Sequence, residues 1–199
     1  ARLSYALLAG ALCCACAPAF ARDDDDDSFV IRLRSFEEVP AVSSVANGRF
    51  RARIDEAAGT ITYELSYAGL QGDIRQSHIH FGQRGVNGGI SVFLCQTATN
   101  PDPTGGAPTC SASPSTVTGT LTAANIIGPT GQGIAATEFA ELVRAIRAGV
   151  AYVNVHTSVF PGGEIRGQAR GSGHGHDPGA ACRITCHPLA ASPRPIRWS

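Results

Sequence analysis

The sequence predicts an all-β protein, a β-sandwich with one short crossover helix. Apolar and polar residues alternate one by one in several short stretches, which is the pattern of strands with one buried face. Glycine is abundant, with 23 residues in a chain of 199, and it bounds these stretches as turn residues bound strands. One segment alone has helical spacing.

Three stretches at the start of the domain alternate in this way. Their inward sets are Phe29, Ile31 and Leu33, then Phe50, Ala52 and Ile54, then Ile61, Tyr63, Leu65 and Tyr67. Residues 55–59 are predicted to be the turn of a hairpin between the second and third strands. The outward arginines of these strands are interpreted as solubilising groups that pair across strands, for example with Glu64, and not as a ligand patch.

The middle of the domain contains more strands and a long loop. Residues 77–82 read as a strand, and residues 83–89 as a turn with an Asn-Gly-Gly sequence. Residues 90–95 are predicted to be the next strand. Residues 96–115 are loop by composition, and residues 117–122 form a weaker strand.

One helix is predicted over residues 138–148, because its apolar residues recur at helical spacing on one stripe. That stripe is predicted to pack in the core and consists of Phe139, Leu142, Val143 and Ile146. Thr137 is expected to cap the start of the helix and Gly149 to end it. Acidic residues in the first turn and arginines in the last complement the helix dipole. These are Glu138, Glu141, Arg144 and Arg147.

Two strands close the domain. In residues 151–157 the apolar set alternates with Tyr152, Asn154 and His156 on the opposite face. Residues 161–163 form a turn, and residues 164–168 are predicted to be the last strand.

The start of the chain is predicted to be a cleaved signal peptide, residues 1–21, because an apolar run leads to Ala19-Phe20-Ala21, a small-x-small cleavage site. Residues 22–28 contain five aspartates and are interpreted as an acidic linker. We therefore expect an extracytoplasmic protein, periplasmic or secreted, with no transmembrane span in the mature chain.

Export implies that thiols are oxidised. Cys95 ends a predicted strand and Cys110 lies across a loop rich in proline and glycine. We predict a disulfide between them, which closes a loop of about 15 residues and stabilises the fold by about 3 kcal/mol in the chain-entropy model.

The charge balance narrows the choice of partners. Arginine alone provides the 16 basic residues, against 16 acidic residues, so the formal net charge is zero. A neutral chain gives no case for electrostatic binding to nucleic acid or to an anionic membrane surface.

The histidines are the candidate functional residues. His78 and His80 lie two apart on a strand and therefore point to the same side, and His156 joins them if the two strands are neighbours. Three neutral imidazoles suit copper or zinc, with Asn154 and Glu164 as possible supporting groups behind the ligands. The alternative is a hydrogen-bond network that joins the strands and binds nothing.

Several segments together are similar to the chordin-type (CHRD) domain family. They are Glu37-Glu38-Val39-Pro40, Ser77-His78-Ile79-His80-Phe81-Gly82, residues 85–94, residues 151–157 and Pro161-Gly162-Gly163-Glu164-Ile165-Arg166-Gly167-Gln168. The resemblance covers residues 29–170 and implies an extracytoplasmic, immunoglobulin-like antiparallel β-sandwich or barrel. It implies no established activity.

Two enzyme classes find little support. The His-x-His strand is loosely similar to that of copper-zinc superoxide dismutase, but a second zinc-ligand cluster is missing from the sequence. Nucleophilic hydrolysis is disfavoured because there is no Gly-x-Ser-x-Gly turn, and Ser77 faces away from His78. We predict no catalytic residues.

Residues 171–199 are interpreted as a flexible tail that contains Cys and His. Cys182 and Cys186 are predicted either to form a local disulfide or to attach haem, although haem attachment normally has two intervening residues rather than three. His174 and His176 can bind metal adventitiously, as His-rich tracts do.

The sequence as a whole predicts a binding or interaction module with an unidentified protein or cell-surface partner. The alternative is a metal-binding protein for copper or zinc, with redox activity as an option, that uses His78, His80 and His156.

Overall fold

The structure is a computed structural model that describes residues 27–171. The predicted signal peptide, the start of the acidic linker and the tail with Cys182 and Cys186 lie outside this range. Eight strands and one helix follow in order: β1 (Ser28–Arg34), β2 (Asn47–Asp55), β3 (Thr60–Ala68), β4 (Ile74–Phe81), β5 (Gly89–Cys95), β6 (Ser115–Leu121), α1 (Phe139–Arg147), β7 (Ala151–Thr157) and β8 (Ile165–Gln168).

All neighbouring strands pair antiparallel in one sheet of order β5-β4-β7-β8-β1-β2-β3-β6. The two ends of the sheet approach each other, since the Tyr63 hydroxyl on β3 donates to the Leu94 carbonyl on β5 at 2.5 Å. The sheet is therefore a nearly closed barrel, and the predicted all-β class with one helix is confirmed. No helix within residues 27–171 is long and apolar enough to cross a bilayer.

The alternating apolar residues fill the barrel. Phe50, Ile61 and Leu65 are fully buried, as the period-two pattern predicts. Cys95 and Cys110 form the predicted disulfide, and both lie in this core. Each buried aliphatic or aromatic side chain stabilises the fold by roughly 1.5–3 kcal/mol relative to an exposed one.

The single helix α1 lies on the crossover from β6 to β7 and buries Leu142, Val143 and Ile146. The predicted cap at Thr137 is wrong. Thr137 has a positive φ of 71° and its amide donates to the Ile126 carbonyl, so it lies in the turn before the helix. Glu138 occupies the N-cap position, and its carboxylate accepts the Ala135 amide instead of a helix amide.

The predicted pairing of arginines with Glu64 is not formed. Arg51 lies directly opposite Glu64 on the outer face of the sheet, yet no salt bridge joins them in the described part of the chain. Arg32 lies opposite another arginine, Arg49. These side chains are exposed, so long arginine side chains remain free in solvent rather than being held in pairs.

Candidate metal centre

The structure brings the three histidines together. Strand β4 lies between β5 and β7, and its register with β7 puts His78 opposite Asn154 and His156 opposite Gln76, two pairs further along and on the same face. One nitrogen from each of His78, His80 and His156 can be chosen so that all three lie within 4.8 Å of one another. The three rings are buried, although their strand faces were expected to be hydrophilic.

Hydrogen bonds fix which ring nitrogens carry protons. His80 Nδ1 lies 2.9 Å from the Gly88 carbonyl oxygen, and His156 Nδ1 lies 2.9 Å from the Pro161 carbonyl oxygen. A carbonyl accepts only, so both Nδ1 atoms must donate, and both Nε2 atoms of the neutral rings carry lone pairs. Such Nδ1–H to carbonyl contacts also orient histidine ligands in metal sites.

His78 completes the cluster. Its Nδ1 lies 3.1 Å from the Nε2 of His156, which is an acceptor, so His78 donates through Nδ1. This leaves the Nε2 atoms of both His78 and His80 buried without any hydrogen-bond partner. An unsatisfied buried polar atom costs about 1–3 kcal/mol, so the cluster by itself is an incompletely bonded network.

Burial keeps the rings neutral. It lowers the pKa of His80 to about 4, and the neighbouring His156 and Arg166 lower it further, against the Gly88 carbonyl and the Asn154 side chain, which raise it. Burial lowers the pKa of His78 and of His156 in the same way, and for His78 the two other histidines add to the effect. Neutral imidazole is the form that binds metal ions.

The two predicted supporting residues differ in position. Asn154 on β7 lies opposite His78 on β4 and opposite Arg166 on β8, is buried, and its Oδ1 has no hydrogen-bond partner. The Glu164 carboxylate is buried but accepts hydrogen bonds from Ser44, the Gln71 amide and Thr157, and it makes no hydrogen bond to any of the three rings. Because the carboxylate is bonded to these three donors, it does not orient any of the three rings.

Tyr152 and Arg166 are part of the site, and the sequence reasoning missed them. The Tyr152 ring stacks on His80 with 4.7 Å between centroids and an interplanar angle of 5°. The Arg166 guanidinium lies 3.3 Å from the centre of the Tyr152 ring and donates to Val86 and Asn87 in the turn after β4. Alternation along the strands places both residues on the polar faces, and this was the one feature of the sequence that could have indicated that they belong to the site.

Gly88 lets this turn approach the strand. A Cβ on Gly88 would overlap the carbonyl of Phe81, so any larger residue must shift the turn. The Gly88 carbonyl is the acceptor for His80, and its amide donates to the Tyr152 hydroxyl at 3.2 Å. Arg166, Tyr152 and Gly88 therefore fix the His80 ring from outside the cluster.

Glu38 is a second buried titratable group in this region. Burial raises its pKa to about 8, against the attraction of Arg166, and its Oε1 has no hydrogen-bond partner. A Cβ on Gly163 would overlap this carboxyl group, so the two residues are in close contact. Glu38 lies in the Glu37-Glu38-Val39-Pro40 segment that resembles the family, and the sequence alone indicates no chemical role for it.

The cluster has the composition of a three-nitrogen metal site. Metal–nitrogen bonds of 2.0–2.1 Å in a tetrahedral site separate ligand atoms by about 3.3 Å, and one nitrogen from each of the three rings lies within 4.8 Å of the others. No cysteine or carboxylate joins the cluster among the described residues. Imidazole-only sites suit copper and zinc.

Comparison with known proteins identifies one family. Residues 29–169 match the family model of the CHRD domain, which is most of the chain and almost all of the described residues. No curated protein and no solved structure matches the chain.

Proposed function

The chain belongs to the CHRD domain family, and we propose that it is an extracytoplasmic binding module whose ligand is a single copper or zinc ion, held by His78, His80 and His156. One observation carries the proposal. Two buried imidazole nitrogens in the cluster have no hydrogen-bond partner, and a third accepts a hydrogen bond only from a neighbouring ring. A metal ion gives the two unpartnered lone pairs an electron-pair acceptor that the protein itself does not provide, and its bond to His156 replaces the hydrogen bond from His78.

The surroundings of the rings support this reading over a structural network. In a network that serves only to join strands, each ring is expected to use both nitrogens. Here His80 uses Nδ1 on a backbone carbonyl and leaves Nε2 without a partner, whereas His156 uses Nδ1 on a carbonyl and Nε2 on His78. The division in His80 is the usual one for histidine ligands, because the outer contact fixes the tautomer and the inner nitrogen binds.

The donor set limits the ion. Three neutral nitrogens add no negative charge, and the nearby Arg166 guanidinium is positive. Hard ions such as magnesium and calcium prefer oxygen ligands and are disfavoured. Copper and zinc both accept imidazole, and an open coordination position on copper would also permit redox chemistry.

The extracytoplasmic location is part of the proposal. It is supported by the predicted signal peptide, by the family, and by a disulfide between Cys95 and Cys110, which persists in oxidising compartments. Secretion of the full-length chain from a bacterial host, followed by sequencing of the mature N-terminus, tests it directly.

The metal is tested on full-length protein purified without a histidine tag. After incubation with copper(II) or zinc(II) and desalting, elemental analysis is expected to find one ion per chain, and the spin-resonance spectrum of the copper form is expected to show nitrogen couplings. His80→Ala and His156→Ala should each lose the ion. A wild-type protein that emerges empty from both metals contradicts the proposal.

The tail provides the matched control. His174, His176 and His187 can bind metal on their own, so a variant with all three replaced by alanine should still retain one ion per chain. If this variant loses the ion while His80→Ala keeps it, the metal belongs to the tail and the proposed site is wrong.

A further inference from the structure

The outer face of one side of the barrel is dominated by arginine. It is formed by β1, β2, β3 and β6, which are neighbours in the sheet. Five exposed arginines lie on its first two strands: Arg32, Arg34, Arg49, Arg51 and Arg53. We name this surface the arginine face. The formal net charge of the whole chain is zero, and these five arginines nevertheless lie together on one surface.

The arrangement is unfavourable for the isolated protein. Arg32 lies directly opposite Arg49, and such cross-strand pairs are only about 5 Å apart. Like charges in that position destabilise a sheet. Within residues 27–171 none of the five arginines forms a salt bridge, and the neighbouring Glu64 stays unbonded to Arg51. The face therefore offers uncompensated positive charge to a partner.

A groove extends the arginine face towards β8. It has a volume of about 530 Å³ and adds Arg84 and Arg170 to three arginines of the face. Its one carboxylate, that of Glu37, is already bonded to Arg84 at 2.5 Å. The groove thus continues the same positive surface beyond the edge of β1.

Hydroxyl groups cover the other half of the face. On β3 and β6 the outward residues beside the arginines are Thr62, Ser66, Thr116, Thr118 and Thr120, with the carboxylate of Glu64 between Thr62 and Ser66. The register places Ser66 next to Arg49 and Thr62 next to Arg53, so these two arginines continue into hydroxyl groups, whereas Arg51 lies next to Glu64. Charged forks beside short hydroxyls suit a ligand that carries both anionic groups and many hydroxyls.

From this geometry we infer that the arginine face binds an extended acidic polysaccharide, a chain of sugars that carry carboxylate or sulfate groups. Arginine bonds such groups through two parallel N–H donors, and the threonine rows bond the sugar hydroxyls. Successive arginines on one strand are about 7 Å apart, so a linear polymer can contact several of them in turn. This binding is independent of the metal and of the three histidines.

Two other polyanions fit the face less well. Single-stranded nucleic acid needs aromatic platforms for its bases, and no outward residue of these four described strands is aromatic. A membrane surface needs apolar side chains that insert between lipids, and Val30 is the one large apolar residue that points outward here. The arginine face has the charge for these ligands but lacks the aromatic side chains that bases need and the apolar side chains that a membrane needs.

The test measures binding of the full chain to immobilised alginate and dextran sulfate, with uncharged dextran as the neutral polymer. We expect binding to at least one acidic polymer, weakening with salt, and none to dextran. Arg32→Gln with Arg49→Gln should lower the affinity about tenfold or more. Glu64→Gln should raise the affinity, because the substitution removes a negative charge that repels the acidic ligand from the centre of the face.

Arg144 provides the matched control. It is exposed on the helix and bonded to Glu141, far in sequence from the arginine face, so Arg144→Gln should bind as the wild type does. Circular dichroism of each variant verifies the fold. Equal losses in the control and in the double variant would show a general charge effect and overturn the inference.

Other outcomes also overturn it. A wild type that binds neither acidic polymer, or binds dextran equally well, has no such site. Tighter binding to phosphatidylglycerol vesicles or to oligothymidylate, lost in the double variant, would assign the face to those ligands. Binding that arises only after Asp23–Asp26 are replaced by serine would show that the acidic segment of the chain itself occupies the arginines.

Discussion

Acid should destabilise the metal-free protein through its buried histidines. Each ring is neutral in the folded protein, where its pKa is lowered, and takes up a proton in the unfolded chain below about pH 6.5. The unfolded state then binds more protons than the folded state, so the free energy of unfolding falls as the pH falls. The contribution of each ring to the free energy of unfolding is fully present above pH 6.5. It decreases as the pH falls from 6.5 to the pKa of the ring in the folded protein, which is about 4 for His80.

The size of the effect follows from the same values. Between pH 7 and pH 5, protonation of one ring stabilises the unfolded chain by about 2 kcal/mol, while folded His80 with a pKa of about 4 gains almost nothing. His78, with a pKa lowered further, contributes about as much, and His156 acts in the same direction. The loss is therefore about 4 kcal/mol or more from the rings.

Glu38 opposes this loss. Its pKa of about 8 in the folded protein lies above the ordinary value of 4.5, so the folded state holds a proton that the unfolded chain has released at pH 7. This contribution grows as the pH falls towards 4.5 and offsets about 2.5 kcal/mol between pH 7 and pH 5. The wild type should therefore lose about 1.5 kcal/mol or more, and Glu38→Gln about 4 kcal/mol or more.

Urea denaturation followed by circular dichroism, in the presence of a chelator and with the disulfide intact, measures these differences. The Glu38→Gln variant keeps the shape of the protonated side chain and serves as the comparison. His80→Gln in that background should reduce the loss by about 2 kcal/mol. A Glu38→Gln protein that is as stable at pH 5 as at pH 7 would refute the reasoning, because neutral buried rings cannot give that result.

Two further predictions concern the framework of the site. Reduction of the Cys95–Cys110 disulfide should lower the free energy of unfolding by about 3 kcal/mol in urea denaturation, since a loop of 15 residues is released; an unchanged midpoint would contradict this. Gly88→Ala should weaken metal binding by roughly 10- to 100-fold in a competition titration, because the turn that holds His80 must move. Gly131→Ala has open space around its new Cβ and should leave the affinity unchanged; equal effects of both variants would exclude a specific role for the turn.

The strands and the face of each residue could be predicted from the sequence because both follow from one rule, alternation with period two. Phe50 and Leu65 point inward and Arg49 and Arg51 outward for that reason alone. The same rule put His78 and His80 on one side of β4. The strand order could not be predicted from alternation, because β4 pairs with β7 through residues that are 70 or more positions apart in the chain.

Burial of the polar sides was the main surprise. Alternation distinguishes two faces but cannot tell whether a second layer covers the polar one. In this protein the turn after β4 folds back over Tyr152 and His80, and Arg166 holds it there. The cap at Thr137 was mistaken for a related reason, because the preceding turn forces a positive φ that sequence preference does not register.

The wide separation of the ring-bearing strands along the chain has a consequence for biogenesis. His78 and His156 are 78 residues apart, and the whole crossover with α1 lies between them. A nascent polypeptide that ends before β7 carries at most two of the three rings. An ion that requires all three rings therefore binds only to a completed domain. Binding of the ion would then show that synthesis and folding of the domain have both finished.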